Sequence, residues 1–198
     1  THVDALTWPE VEERILNWGA QGLGRYVCVC NVHSLVTARR TGAFRRDLAG
    51  ADLATPDGAP LVWYLRRHGF PQQPRIDGPQ LMLRLCDRAA EARLPVYLLG
   101  ASESTLTRLR RRLGRRFPAL EIGGAYAPPF RSVNHVEDRA IVARINRSGA
   151  RLVFVSLGCP KQVRWMWSHV SSVNAVLIGV GAAFDYHAGV RRRAPPWM

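Results

Sequence analysis

Apolar residues in this chain fall into short blocks with two alternating rhythms. Val11, Ile15 and Trp18 recur at helical spacing after Thr7-Trp8-Pro9-Glu10, a capping box with proline in the first turn, which predicts an amphipathic helix over 8–20. Tyr26 to Cys30 (YVCVC) is a short apolar run between Gly24 and Asn31, the pattern of a buried strand. A helix is expected over 34–48, with Leu35, Val36, Phe44 and Leu48 inward and the arginines outward. Leu53-Ala54-Thr55 predicts a second buried strand, stopped by Pro56-Asp57-Gly58 before a helix opened by Ala59-Pro60.

The alternation continues to the end of the chain. Helices are expected at 79–93, 103–117, 136–148 and 161–171. Strands are expected at Pro95–Leu99, Leu120–Ala125, Arg151–Leu157 and Ala175–Ile178. Such alternation predicts a single-domain α/β fold, Rossmann-like, with a mainly parallel sheet and helices on both faces. A chain of 198 residues suits one such core, and its 47% hydrophobic content is that of a globular protein.

Charge adds a preference for partners. The net charge is +13, almost all of it arginine, with Lys161 the one lysine. Such a surface favours nucleic acid, acidic headgroups or phosphorylated substrates. The arginine-rich helix 103–117 lacks interleaved aromatics for base stacking, so a solvated face is its simpler explanation. The four cysteines include no C-x-x-C pair and no histidine at metal spacing, which suggests buried thiols in a reducing compartment.

Candidate chemistry lies on four strand exits: Asn31, Asp57, Gly158 to Gln162, and Gly179 to Asp185. Ligands of open α/β sheets bind at such exits. Asp57 reads equally as a helix cap, and on residue type alone the cap is the commoner role. The last loop begins G-x-G after a strand but lacks the third glycine of a dinucleotide fingerprint. Walker A, G-x-S-x-G and H-E-x-x-H motifs are absent from the sequence, as is any D-x-D. A nucleoside diphosphate would therefore be met by arginine, lysine and backbone N–H groups. His33 and His187 lie near strand exits but read more simply as surface or packing residues.

Taken together, ADLATPDGAPLVW (51–63), RIDGPQL (75–81), VYLLGA (96–101), INRSGARLVFVSLGCPKQ (145–162) and IGVGAAFDYHAGVRRRAPPWM (178–198) resemble the WecG/TagA/CpsF family of bacterial glycosyltransferases. Three positions depart from the family pattern. The Thr-Pro-Asn strand exit is Val29-Cys30-Asn31, the Glu after Pro-Lys-Gln is Val163, and the second Gly after the Asp57 turn is Pro60.

The resemblance implies transfer of a sugar, typically of N-acetylmannosamine type, from a UDP-sugar to a polyprenyl-pyrophosphate-linked saccharide. It implies inversion, with no metal and no cofactor, in cell-surface polysaccharide synthesis. Asp57 matches the proposed general base and Asn31 a second catalytic position. Gln162 and Asp185 match the nucleotide-sugar pocket. Gly58, Arg75, Gly78, Gly100, Gly158, Pro160, Lys161, Gly179, Gly181, Arg191 and Arg193 are expected to bind substrate.

The resemblance further implies that 1–190 forms the α/β domain and 191–198 the start of a basic appendage. That appendage would touch the inner face of the plasma membrane and supply arginines, so a chain without it is expected to be weakly active. Self-association is an open expectation, and nucleic acid is not an expected partner. Two readings compete: a noncatalytic basic module that binds nucleotide or nucleic acid, and an NAD-dependent oxidoreductase. The broken fingerprint disfavours the second.

Overall fold

The computed structural model describes residues 2–131 and 133–192. Among them, six strands form one sheet in which every pairing is parallel: β1 (Arg25–Cys30), β2 (Leu53–Pro56), β3 (Val96–Gly100), β4 (Ile122–Tyr126), β5 (Leu152–Ser156) and β6 (Val176–Gly179). The spatial order is β2-β1-β6-β5-β3-β4. Sheet strands of this kind are buried on both faces, and β2, β3 and β6 are buried at every residue.

The helices sort onto the two faces. α1 (Trp8–Ala20), α5 (Gly78–Glu91), α6 (Glu103–Arg116) and the short α9 (Ala183–Ala188) close one face. They bury Ile15, Leu85, Leu109 and Phe184 against Leu53, Leu98, Phe154 and Ile178. α2 (Val32–Arg40), α3 (Gly42–Ala49), α7 (His135–Arg147) and α8 (Lys161–His169) close the other. There Phe44, Leu48, Ile145 and Met166 pack on Tyr26, Cys28, Val153 and Leu177. α4 (Ala59–Arg67) buries only Val62.

The expected α/β order holds, with two local corrections. The single helix expected over 34–48 is two helices, because Thr41 takes an extended conformation (φ −126°, ψ 105°) as both the C-cap of α2 and the N-cap of α3. A β-branched residue followed by glycine is a poor helix interior, so the chain breaks there. The second correction is α9, where a loop was expected. Its six residues follow the glycine turn and bury Ala183, Phe184 and Ala188.

Topology fixes where a ligand can enter. From β5 the chain runs through α8 to its neighbour β6, whereas from β3 it runs through α6 to its neighbour β4 on the other side. The two exits diverge to opposite faces and leave a crevice between them. This is a topological switch point, where open α/β sheets hold their ligands.

Candidate active site

Asp57 directly follows β2 at the carboxyl rim of the sheet. Its backbone N–H donates to Cys30 O at 2.7 Å, which joins it to the exit of β1. Gly58 (φ +115°, ψ 141°), not Asp57, is the N-cap of α4, and no side chain caps that helix. The cap role open to Asp57 in the sequence therefore falls away. Its Oδ1 instead accepts from Arg75 Nε at 3.0 Å, and Nη2 of the same guanidinium lies 3.0 Å from that oxygen. Arg75 reaches it because Ile76 N–H donates to Pro56 O at 2.9 Å, which lays the segment before α5 beside the end of β2.

Asn31 sits on the neighbouring exit, exposed, as the N-cap of α2. Its Oδ1 accepts from the backbone N–H of Ser34 at 3.0 Å and from the Ser34 hydroxyl at 3.2 Å. Its amide is thereby oriented at the rim beside Asp57.

The exits of β5 and β6 are bound to each other through Gly181. The Ser156 hydroxyl donates to Gly181 O at 2.6 Å, and Gly181 N–H donates to Gln162 Oε1 at 3.3 Å. The N–H and the C=O of Gly181, in the two peptides that flank its Cα, are thus both held, at a residue with φ +58°, a conformation that glycine adopts without a Cβ clash. Gln162 is only 6% exposed, on the inner side of α8, and its amide lies against Gly179. Ser156 was missed in the sequence because a strand-terminal serine carries no motif.

These exits border a cleft of about 880 Å³ at the switch point. Gly158, Lys161, Gly181, Asp185 and Arg191, all expected to bind substrate, line it. Asp185 carries Arg191 above it: the backbone N–H groups of Val190 and Arg191 donate to Asp185 O at 2.9 and 3.2 Å, and Arg191 Nε lies 3.7 Å from Oδ2. Pro160 is the N-cap of α8, directly before Lys161.

The cleft also has a wall that sequence reading did not find. Asp138 on α7 accepts from Trp165 Nε1 at 2.8 Å, and His169 Nε2 lies 3.0 Å from its other oxygen. The Trp165 and His169 rings stack with centroids 4.6 Å apart. The i, i+4 spacing of an aromatic and a histidine on α8 was the one signal available. Arg131, Lys161, Arg164 and Arg191 face the cleft against Asp138 and Asp185, so its lining carries an excess of positive charge.

Two expected site glycines have a packing explanation. A Cβ on Gly100 (φ +123°) would stand 2.2 Å from Ser156 O, and one on Gly78 would stand 2.5 Å from Val180 O. They bring β3 and α5 against the exits that form the cleft. Arg193 lies outside the described residues. Asp57, Gly58, Arg75 and Asn31 do not line the cleft itself. They stand farther along the same rim: Asn31 follows β1, the neighbour of β6, and Asp57 follows β2, two strands from β6 and about 10 Å away at the spacing of neighbouring strands.

Among the described residues no three His, Cys, Asp or Glu side chains are grouped to hold a metal ion. His187 packs rather than reacts, with Nε2 2.8 Å from Pro79 O.

A six-stranded, all-parallel sheet with helices on both faces and a cationic crevice at its switch point defines a Rossmann-like α/β protein. The sequence model of the glycosyl transferase WecG/TagA/CpsF family matches residues 1–198, and the chain belongs to that family of glycosyltransferases. It is 32% identical over 181 residues to a protein of Bacillus spizizenii (strain ATCC 23059 / NRRL B-14472 / W23) named N-acetylglucosaminyldiphosphoundecaprenol N-acetyl-beta-D-mannosaminyltransferase. A Bacillus subtilis (strain 168) protein of the same name is 28% identical over 181 residues. Each match covers 90% of this chain and 68% of the relative.

Proposed function

We propose that this glycosyltransferase moves an N-acetylmannosamine-type sugar from a UDP-sugar to a polyprenyl-diphosphate-linked saccharide, with inversion. One observation carries the reading: a carboxylate held by arginine and a cationic cleft share one rim of the sheet, about two strands apart. Asp57 is the general base. It takes the proton of the acceptor hydroxyl as that oxygen bonds to the anomeric carbon, while the bond from that carbon to the diphosphate oxygen breaks. UDP leaves carrying the negative charge. Lys161, Arg164 and Arg191 line the cleft where that charge would gather, and preorganised cations stabilise such a transition state.

Asp185 suits the ribose diol as a hydrogen-bond acceptor. The Gly179–Ala182 turn, fixed by Gln162 and Ser156, lets backbone approach the phosphates. Work on a lipid-linked acceptor places the enzyme at a membrane surface, on the side where UDP-sugars occur. Among the described residues no helix is long and apolar enough to cross a bilayer, so contact there would be peripheral.

The test is a thermal-shift titration with UDP, with and without EDTA, on the wild type and Asp185→Ala. A ligand that binds only the folded state raises the melting temperature by mass action. A UDP-specific, EDTA-insensitive rise that the variant loses supports the reading. A response to RNA with none to UDP overturns it in favour of a basic binding module.

A further inference from the structure

The two helices that leave the Asp57 rim carry a surface that the cleft does not use. On α4, positions advance by about 100° per residue, so Trp63, Arg67 and Tyr64 share one sector opposite Leu61, Val62 and Leu65. Trp63 is 65% exposed and Tyr64 54% exposed. Beyond the helix, Phe70 is 47% exposed.

Phe70 is presented on a fixed turn. Its N–H donates to Leu65 O at 3.1 Å, and Gln73 N–H donates to its carbonyl at 3.0 Å. Arg66 Nε ties the same turn through Gln73 O at 3.0 Å, and buried Gln73 is anchored to Leu6 O at 2.9 Å. On α2, which starts from the adjacent strand exit, Val32, Val36, Arg39 and Arg40 fall at helical spacing. All four are exposed.

The charge on these segments has one sign. No Asp or Glu occurs in residues 31–46 or 58–76, which contain Arg39, Arg40, Arg45, Arg66 and Arg67, besides Arg46 and Arg75, which lie against the flanking Asp47 and Asp57. Scattered exposed apolar residues are ordinary. A tryptophan, a tyrosine and a phenylalanine grouped with arginines and no carboxylate are the composition of a bilayer interface. There, aromatic rings sit at the headgroups and cations meet anionic lipid.

We propose that α4, the Phe70 turn and the exposed stripe of α2 dock this protein on an anionic bilayer, with the Asp57 rim facing the lipid surface. Charge complementarity selects this occupant. A two-fold contact between copies would bring Arg39, Arg40, Arg66 and Arg67 against each other with no carboxylate in these segments to pair them. The aliphatic Val32 and Val36 suit the acyl boundary better than a base-stacking platform. The inference rests on the proposed function, since an acceptor carried on polyprenol has its reacting sugar at the membrane surface. It names a surface independent of residues 191–198.

The experiment is co-sedimentation of the protein with vesicles of phosphatidylcholine alone or mixed with phosphatidylglycerol. It compares the wild type, Trp63→Ser/Phe70→Ser and Asp57→Asn. We expect binding to the anionic vesicles only, weakened by salt and reduced about tenfold or more by the double substitution. Asp57→Asn should bind vesicles as the wild type does.

An unchanged melting temperature and UDP shift show that the double variant is folded. If it does not fold, Trp63→Ser alone is used. No vesicle binding, or equal binding by wild type and double variant, overturns the docking surface. So does concentration-dependent self-association in sedimentation velocity without lipid that the double substitution abolishes. Vesicle binding with no UDP shift leaves the docking surface standing and overturns the transferase reading instead.

Discussion

Arg75 and Asp57 meet at a single oxygen: Nε and Nη2 of the guanidinium each lie 3.0 Å from Oδ1. Both residues lie in the connection from β2 to β3, on either side of α4, and are joined because the segment before α5 hydrogen-bonds to the last residue of β2. A planar fork holds a carboxylate in a defined rotamer as a lysine ammonium cannot. Arg75 is therefore a positioning residue for the proposed base.

Substituting that base should cut turnover sharply without harming the fold. Asp57→Asn keeps the shape but cannot accept the acceptor proton, and general-base catalysis contributes about 10²–10⁴-fold. We expect kcat to fall by that range, with UDP binding and melting temperature unchanged. Arg75→Lys should lower kcat by a smaller factor with KM for the donor unchanged. Steady-state kinetics with calorimetric UDP titration checks both. Wild-type turnover by Asp57→Asn sinks the assignment.

The doubly held backbone of Gly181 supplies a second prediction. Gln162→Ala removes the acceptor of its N–H and leaves a gap beside Gly179, while Ser156 still holds its carbonyl. A net hydrogen bond contributes about 1 kcal/mol, so the fold should survive. The UDP-induced thermal shift should shrink markedly, because the turn that approaches the phosphates is no longer fixed. A shift equal to the wild type's would show that Gln162 does no more than pack.

Steric closeness at the rim makes a stability prediction. Gly100→Ala must place a Cβ 2.2 Å from Ser156 O at φ +123°. Backbone strain and overpacking each cost about 1–3 kcal/mol. We expect the melting temperature to fall by roughly 5–10 °C for a chain of this size. Gly149→Ala, with φ +69° and open space around it, should cost less. Differential scanning calorimetry of the pair separates backbone strain from the clash.

Much of this was legible in the sequence. The periodicity of Val11, Ile15 and Trp18, the apolar runs at 26–30 and 151–157, and the punctuating Pro-Asp-Gly marked the order of elements, which predicts a parallel sheet. Local patterns also marked the exits carrying Asp57, Gln162 and Asp185. What escaped is what the chain assembles across distance. The Arg75–Asp57 pair spans 18 positions and the Trp165–Asp138 bond 27, and neither has a period or motif. The break at Thr41 was hidden because apolar spacing runs on through Phe44 and Leu48. α9 was hidden because its six residues are shorter than a helical repeat can reveal.

Acid should loosen the lip of the cleft. Glu137 accepts from Arg131 at 2.5 and 2.8 Å and from Asn134 N–H at 2.9 Å. The bond from Arg131 and the backbone bond hold its carboxyl down at about 2, against an ordinary 4.5. A depressed carboxylate contributes stability in full above its unfolded value. That contribution is lost as pH falls from about 4.5 through 2. The start of α7, which carries Asp138 on the cleft wall, should therefore loosen in that window. Glu137→Gln should already be loosened at neutral pH and insensitive to it. Because the pair is solvent-exposed, high salt should mute the difference. Hydrogen exchange of the Val136 and Glu137 amides between pH 2 and 5, corrected for intrinsic rates, measures this. Protection that stays constant across the window would show that Arg131 and Glu137 do not hold the lip.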